Sequence, residues 1–194
     1  MTKDPIHLET RDSNGARLYS PSAGRNSAAI GDILESRLPR GARVLEIASG
    51  TGEHAVHVCG LRPDIIWQAS DPDEASRASQ TAWASSRPGQ ILPSIAIDTS
   101  EENWWADLGS FDVIYCANMI HIAPWDAALG LARGAGELLS NGGTLFLYGP
   151  FQEDGQTAPS NLEFDSNLKK RNPAWGVRHL QSMCGTRLST TVMS

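Results

Sequence analysis

Between Arg43 and Gly149, short apolar runs alternate with longer stretches whose apolar residues recur at helical spacing. "RVLEIA", "IIWQAS", "ILPSIAI", "FDVIYCAN" and "TLFLYG" read as strands, and Gly52 to Leu61, Asp73 to Ser85 and Trp125 to Leu139 read as helices. A chain that alternates in this way makes right-handed crossovers and buries a parallel sheet between helical layers. A run as uniformly apolar as "TLFLY" suits a strand covered on both faces. The expected fold is α/β, a doubly wound and mostly parallel sheet. Pro93 removes one donor from "ILPSIAI", which suits an edge strand or a strand start.

The remaining segments set the organisation. Ala29, Ile30, Ile33, Leu34 and Leu38 predict a helix over 26–38, capped by Asn26 or Ser27 and stopped by Pro39 and Gly41. Residues 1–22 have weak periodicity and are expected to form an irregular N-terminal arm, with 23–194 as a single domain. Ser140-Asn141-Gly142-Gly143 is expected to end the helix at Leu139. Pro150 to Ser160 reads as a loop or lid, and Asn161 to Arg171 as a helix.

Charge and cysteine usage narrow the partners. The formal net charge of −6 argues against a general nucleic-acid binder, because phosphate backbones are held by excess Lys and Arg. Lys169-Lys170-Arg171 reads as a solvated helix end. Cys59, Cys116 and Cys184 are scattered and form no C-x-x-C pair, so no structural zinc is expected and a reducing compartment fits. The N-terminus lacks the apolar core of a signal peptide, and no run is long enough to span a bilayer. A cytoplasmic protein without a membrane partner is expected; the oligomeric state is left open.

The stretch "VLEIASGTGEHAVHV" carries the first functional signal. Val44 to Ile47 form the first strand of the expected sheet, and Gly50 and Gly52 occupy the turn into the next helix. Ligands of open parallel sheets bind beyond the carboxyl ends of the strands. Glycine there lets a ligand approach the main chain, but a tight turn with no ligand gives the same pattern. Glu46-x-Ala48-x-Gly50-x-Gly52 is not the dinucleotide spacing G-x-G-x-x-G. The second strand ends in Asp71, about twenty residues on, where a carboxylate can accept from ribose hydroxyls. Asp71 can equally cap the helix that follows, with Pro72 in its first turn. Asp98 ends the third strand, as an adenine-side group or as a cap or Asx turn where "DTSEEN" reads as a helix start.

Taken together, "VLEIASGTG", the acid after the second strand, "AID", "FDVIYCANMIHI" and "LLSNGGTLFLYGP" resemble class I S-adenosylmethionine-dependent methyltransferases. More narrowly, "SPSAGRN", "EIASGTGEHA", "WQASD", "NMIHIAPW", "GPF" and "PSNLEFDSNLKKRNPAWGVR" resemble one methyltransferase-like family of undefined substrate. The resemblance covers Tyr19 to Leu180. It implies S-adenosylmethionine as cofactor, with Glu46, Ala48, Gly50 and Gly52 against its methionine part and ribose. Asp71 then takes the ribose and Asp98 the adenine side. Asn118 and Met119 follow the fourth strand, where cofactor and substrate meet. Arg25 and Asn26 belong to the "RN" signature and are expected to reach the cofactor carboxylate or close the pocket. Ala48 stands where many class I members have glycine. Such enzymes normally finish with a helix and an antiparallel strand pair. The residues after Leu180 suffice for a short helix and one strand, so the C-terminal strands are expected to be shortened or missing.

Methyl transfer requires alignment, exclusion of water and sometimes a base. His121 is the candidate base, with packing at a strand end as the alternative. His54 and His57 read as packing or surface residues. Trp104, Trp105, Trp125 and Trp175 lie near expected ligand-side loops, whereas Trp67 and Trp83 read as packing between helices and sheet. Tyr148 and Asn161 are further candidates for substrate contact. "NMIHIAPW" lacks the Asn/Asp-Pro-Pro-aromatic pattern of nucleic-acid amino-methylating enzymes. The leading expectation is methyl transfer to a small-molecule or protein acceptor. The alternatives are a catalytically inactive cofactor-binding or interaction protein, and a nicotinamide-dependent oxidoreductase, which the glycine spacing disfavours.

Overall fold

The computed structural model describes residues 8–153, 157–184 and 190–193. The chain divides into two compact units, Met1–Ile97 with Phe111–Val113, and Asp98–Ser110 with Ile114–Ser194. The fold class is the expected one, a Rossmann-like arrangement of mostly parallel strands alternating with helices.

The first unit opens with a hairpin of β1 (Asp12–Asn14) and β2 (Arg17–Tyr19). Then come α1 (Pro21–Arg37), β3 (Arg43–Ile47), α2 (Glu53–Leu61), β4 (Ile66–Ser70), α3 (Glu74–Ala84) and β5 (Ile91–Ile95). β4 pairs in parallel with β3 on one side and β5 on the other, with Leu45 opposite Gln68 and Trp67 opposite Ile91. Val44, Leu45 and Ile47 are all buried although neighbours in a strand point to opposite faces, so β3 is covered on both sides. β5, which contains Pro93, lies at the end of this row as expected.

Two readings of the N-terminal region are corrected. The described part of the arm is not irregular, and α1 begins five residues before Asn26. Ser20 is the cap, its Oγ facing Ala23 N, and Pro21 opens the first turn, where its missing N–H costs nothing. The first turn of α1 is largely polar, so apolar periodicity could not mark its start. Asn26 is 8 % exposed and lies inside the helix, not at its cap.

The hairpin is held by α3. Leu18 N donates to Ser79 Oγ (2.8 Å), and Trp83 Nε1 donates to Leu18 O (3.1 Å). Tyr19 meets the Trp83 ring edge-on at 5.2 Å, and the Arg17 guanidinium lies 4.6 Å from the same ring. Trp83 therefore clasps the arm instead of packing a helix on the sheet. Trp67, in contrast, is fully buried in the strand layer as expected.

The second unit contains most of β6 (Phe111–Ala117), a 3-10 turn (Ile120–Ile122), α4 (Trp125–Leu138) and β7 (Leu139–Tyr148). β8 (Phe151–Gln152), α5 (Pro159–Arg171), β9 (Arg178–His179), α6 (Leu180–Cys184) and β10 (Thr190–Met193) follow. β7 lies between β6 and β10, β10 joining it in parallel; β8 pairs in parallel with β9. The described residues after His179 give one short helix and one strand. No helix among the described residues is long and apolar enough to cross a membrane.

α4 ends at Leu138 with Leu139 as its cap, as expected, and β7 follows directly, with Gly142 at φ +81° inside it. Of the readings of Asp98, the Asx turn is the one that forms: its Oδ1 accepts from Ser100 N (3.0 Å) and Ser100 Oγ (2.5 Å) in a local loop, and the residues that follow make turns rather than a helix.

α4 approaches this loop at its glycines. Trp104 Nε1 donates to Gly130 O (3.0 Å), and the Trp104 ring lies against Gly134. Trp104 is thus tied to α4 and packs there. A Cβ on Gly130 would collide with the backbone carbonyl of Thr99. Backbone cannot yield as a flexible side chain does, so Gly130→Ala is expected to lower stability by about 3 kcal/mol. Urea denaturation of the variant against Gly136→Ala, where the added methyl meets open space, checks it.

Candidate functional site

The turn after β3 is built from left-handed backbone. Ala48 has φ +54°, Gly50 +57° and Gly52 +92°. This conformation is easy for glycine and costs other residues about 1 kcal/mol or more. Ala48 therefore carries strain that its neighbours hold in place. Ser49 N donates to Ser70 O (2.8 Å), Ser70 N donates to Ser49 Oγ (3.1 Å), and Ser70 Oγ donates to Glu46 O (2.7 Å). Gln80 Nε2 donates to Gly50 O (2.9 Å). A Cβ on Gly52 would lie 3.0 Å from the Gln80 Cα, so the missing side chain lets α3 close on the turn.

Asp71 stands at the end of β4 with both oxygens engaged. Gly50 N donates to Oδ2 (2.9 Å) and Asp73 N donates to Oδ1 (3.0 Å). A carboxylate has about four acceptor positions, and the described residues fill two of them. Asp73, not Asp71, caps α3 through its bond from Ser76 N (2.8 Å).

The structure distributes the other sequence-predicted residues unevenly. Glu46 is 1 % exposed and accepts from Trp67 Nε1 (3.0 Å), with His54 Nδ1 3.7 Å from its other oxygen. His54 Nε2 donates to Asn26 Oδ1 (2.9 Å). Asn26, His54, Glu46 and Trp67 thus form one buried polar chain linking α1, α2 and the strands. His54 is an interior partner of Glu46, which its sequence position did not reveal. His57 packs where α1 meets α2, its Nε2 2.5 Å from where Gly31 would carry a Cβ.

Arg25 does not join the glycine turn: its guanidinium bonds Glu9 (2.6 Å) and is largely exposed. The cation at the turn is Arg11. Its Nη1 donates to Ser76 Oγ (2.9 Å), and its Nη2 lies 3.6 Å from where a Cβ on Gly50 would sit. Sequence reasoning passed over Arg11, because only the docking of the hairpin on α3 brings it there.

In the second unit, Asn118 takes φ +56° after β6, and its N–H donates to Tyr148 O (2.9 Å). Met119 follows, and its carbonyl accepts from Ile122 N (3.0 Å) to close the 3-10 turn. Gly149 has φ +151°, and a Cβ there would lie 3.5 Å from His121 Nδ1 and 3.6 Å from Asn118 Oδ1. The fold therefore brings Asn118 and His121 to one glycine at the end of β7. Asp98 spends hydrogen-bonding capacity on its own loop, as described above.

A family model described as a protein of unknown function (DUF938) matches residues 17–189. The chain belongs to this family. Its fold is also that of solved methyltransferases. An O-methyltransferase family protein from Burkholderia thailandensis superposes with a TM-score of 0.70 at 17 % identity, covering 85 % of this chain and 50 % of that one. Human N-acetylserotonin methyltransferase, solved in complex with S-adenosylmethionine, gives 0.63 at 13 % identity, covering 86 % and 47 %. At such identities the likeness is one of fold. The chain spans about half the length of these solved proteins.

Two buried titratable groups of this DUF938 member are displaced in opposite senses. Burial pushes the Asp71 carboxyl up to about 6, against the opposing pull of the Asp73 and Gly50 N–H groups and Arg11. Burial, assisted by the charge of Arg178, pushes the His121 imidazole down to about 4. Each shift corresponds to about 3 kcal/mol of linkage. The raised Asp71 favours folding at low pH, and that contribution is lost as pH rises through 6. The lowered His121 favours folding at high pH, and its contribution is lost as pH falls through 6.5 towards 4. Over pH 4 to 6 the two nearly cancel. Asp71→Asn is therefore expected to steepen the loss of stability on acidification, and His121→Gln to flatten or reverse it. Urea midpoints of both variants and the wild type, taken from pH 4 to 7, check this; parallel curves would refute it.

Proposed function

We propose that this chain binds S-adenosylmethionine at the Gly50 turn and transfers its methyl group to a small-molecule or protein acceptor. The observation that carries the reading is the Asp71 carboxylate, buried at a strand end, bonded to the glycine turn, and still holding two acceptor positions. A vicinal diol is a donor pair that fits them. The turn itself, with left-handed backbone at residues 48, 50 and 52, is a surface a ligand can approach closely. The residues present therefore fit the cofactor. Asp71 would hold the ribose, and Glu46 supports the turn from within. The backbone of Ala48, Gly50 and Gly52 would lie against the methionine portion, with Arg11 supplying positive charge. Asn26 supports the turn from within through His54, and the roles of Arg25, Asp98, Asn118 and Met119 are proposed on the sequence resemblance.

Bound S-adenosylmethionine supplies a sulfonium methyl group for displacement by a nucleophile. The chain has to position that nucleophile, exclude water and deal with its proton. His121 stays neutral at physiological pH, but a group titrating near 4 is a poor proton acceptor. That favours acceptors whose nucleophile is already ionised or readily ionised, such as a carboxylate, an acidic phenol or a thiol. The same weakness is the observation that favours a second reading, a protein that binds the cofactor without transferring its methyl group.

Calorimetric titration with S-adenosylhomocysteine tests the binding step. Micromolar affinity is expected, lost at least tenfold in Asp71→Ala, because an ionised acceptor of two hydrogen bonds is removed. Affinity should strengthen as pH rises from 5 to 7, because the diol donates to the ionised carboxylate, which forms near pH 6. A folded wild-type chain that fails to bind across this range refutes the assignment.

A further inference from the structure

The second unit contains an open cleft of about 270 Å³ whose lining does not include the residues discussed as cofactor ligands. It is bordered by Trp125, Gln152, Lys169, Val177, Arg178 and His179, with Ser182 at its rim. No carboxylate lines it, whereas two permanent cations do.

Arg178 is the unusual member. Its Nη2 donates to the carbonyls of Ala174 (2.8 Å) and Ala123 (3.1 Å), which fixes the plane of the guanidinium. Its Cζ lies over the Trp125 ring, 5.5 Å from the ring centre. Its Nε is buried and, among the described residues, has no acceptor. A buried donor without an acceptor costs about 1–3 kcal/mol, and more when it belongs to a charged group. Asp165, whose charge acts on Arg178, is already committed: it accepts from Lys169 Nζ (2.6 Å) and from Val177 N (2.9 Å). Arg178 is thus a rigidly held cation, stacked near an indole, with hydrogen-bonding capacity left over and an open cleft beside it.

We propose that this cleft is a binding subsite for a small carboxylate with a flat apolar body. With Nη2 spent on two carbonyls, Nη1 is left to donate a charge-assisted hydrogen bond to the carboxylate. Trp125 offers a face for the apolar part, and Lys169 at the edge adds charge. The site is independent of whether the Gly50 turn binds a cofactor. If both bind, the carboxylate compound is a candidate acceptor or effector of the same protein.

The charge of Arg178 is one cause of the low His121 value. An anion on Arg178 partly cancels that charge, so ligand in the cleft should make His121 more basic. This gives a second readout besides affinity.

The test is a titration of the full chain with benzoate, benzyl alcohol and inorganic phosphate, followed by tryptophan fluorescence and by the His121 ring proton resonances. Benzoate is expected to saturate at millimolar concentration, with benzyl alcohol at least tenfold weaker, since it lacks the charge. The His121 midpoint should rise with benzoate bound. Arg178→Lys keeps a cation but loses the planar guanidinium that the two carbonyls hold beside Trp125, and should weaken benzoate about tenfold. Lys169→Gln, at a largely exposed site, should weaken it by about threefold and serves if the Arg178 variant does not fold. Phosphate binding tighter than benzoate would overturn the carboxylate assignment. Equal binding of benzyl alcohol, an unmoved His121 midpoint, or no saturable response from a folded wild type would overturn the site itself.

Discussion

The hydrogen bond from Gly50 N to Asp71 Oδ2 ties the turn after β3 to the end of β4. It also makes a buried carboxylate tolerable. A charged group taken out of water needs donors, and Asp71 finds them in the backbone of the turn beside it and of the residue that caps α3. The same contact fixes the turn in a left-handed shape that Ala48 would otherwise avoid. Gln80 and Ser79 of α3 hold the other side of the turn through the carbonyls of Gly50 and Thr51. Strand, turn and helix therefore constrain one another, with the Asp71 carboxylate at their junction.

Beneath this turn lies the chain from Asn26 through His54 and Glu46 to Trp67. Its role differs from that of the turn. Each polar atom is buried against an opposite number, which holds α1 and α2 in register with the strands. Glu46 is thus a foundation of the turn rather than part of its exposed face. The same architecture explains why Arg11, and not Arg25, comes to the turn: α3 grips the hairpin through Trp83 and Ser79, and Arg11 directly precedes the hairpin.

The second unit puts its polar groups to a different use. Asn118 and His121 converge on Gly149, where the absent side chain leaves both within reach of the same space. Arg178 is held by two backbone carbonyls rather than by an acid. Burial without a matching anion lowers the affinity of both Arg178 and His121 for their protons. A unit with an under-compensated cation and a neutral histidine is electrostatically prepared for an anion.

The alternation of apolar runs with helical patterns determined the α/β class, the extents of β3, β4 and β6, and the position of α2 and α3. These were legible because burial on both faces requires continuous apolar strands and an amphipathic helix shows its period locally. The glycines at 50 and 52 were legible for a similar reason: left-handed backbone restricts residue type at short range. What the sequence could not determine was which polar groups meet across the chain. The placing of Arg11 over Gly50 depends on docking between distant segments, which leaves no local period. The buried fate of Glu46 and His54 and the unmatched charge of Arg178 were decided by tertiary packing alone, because desolvation exists only once the surrounding residues have closed.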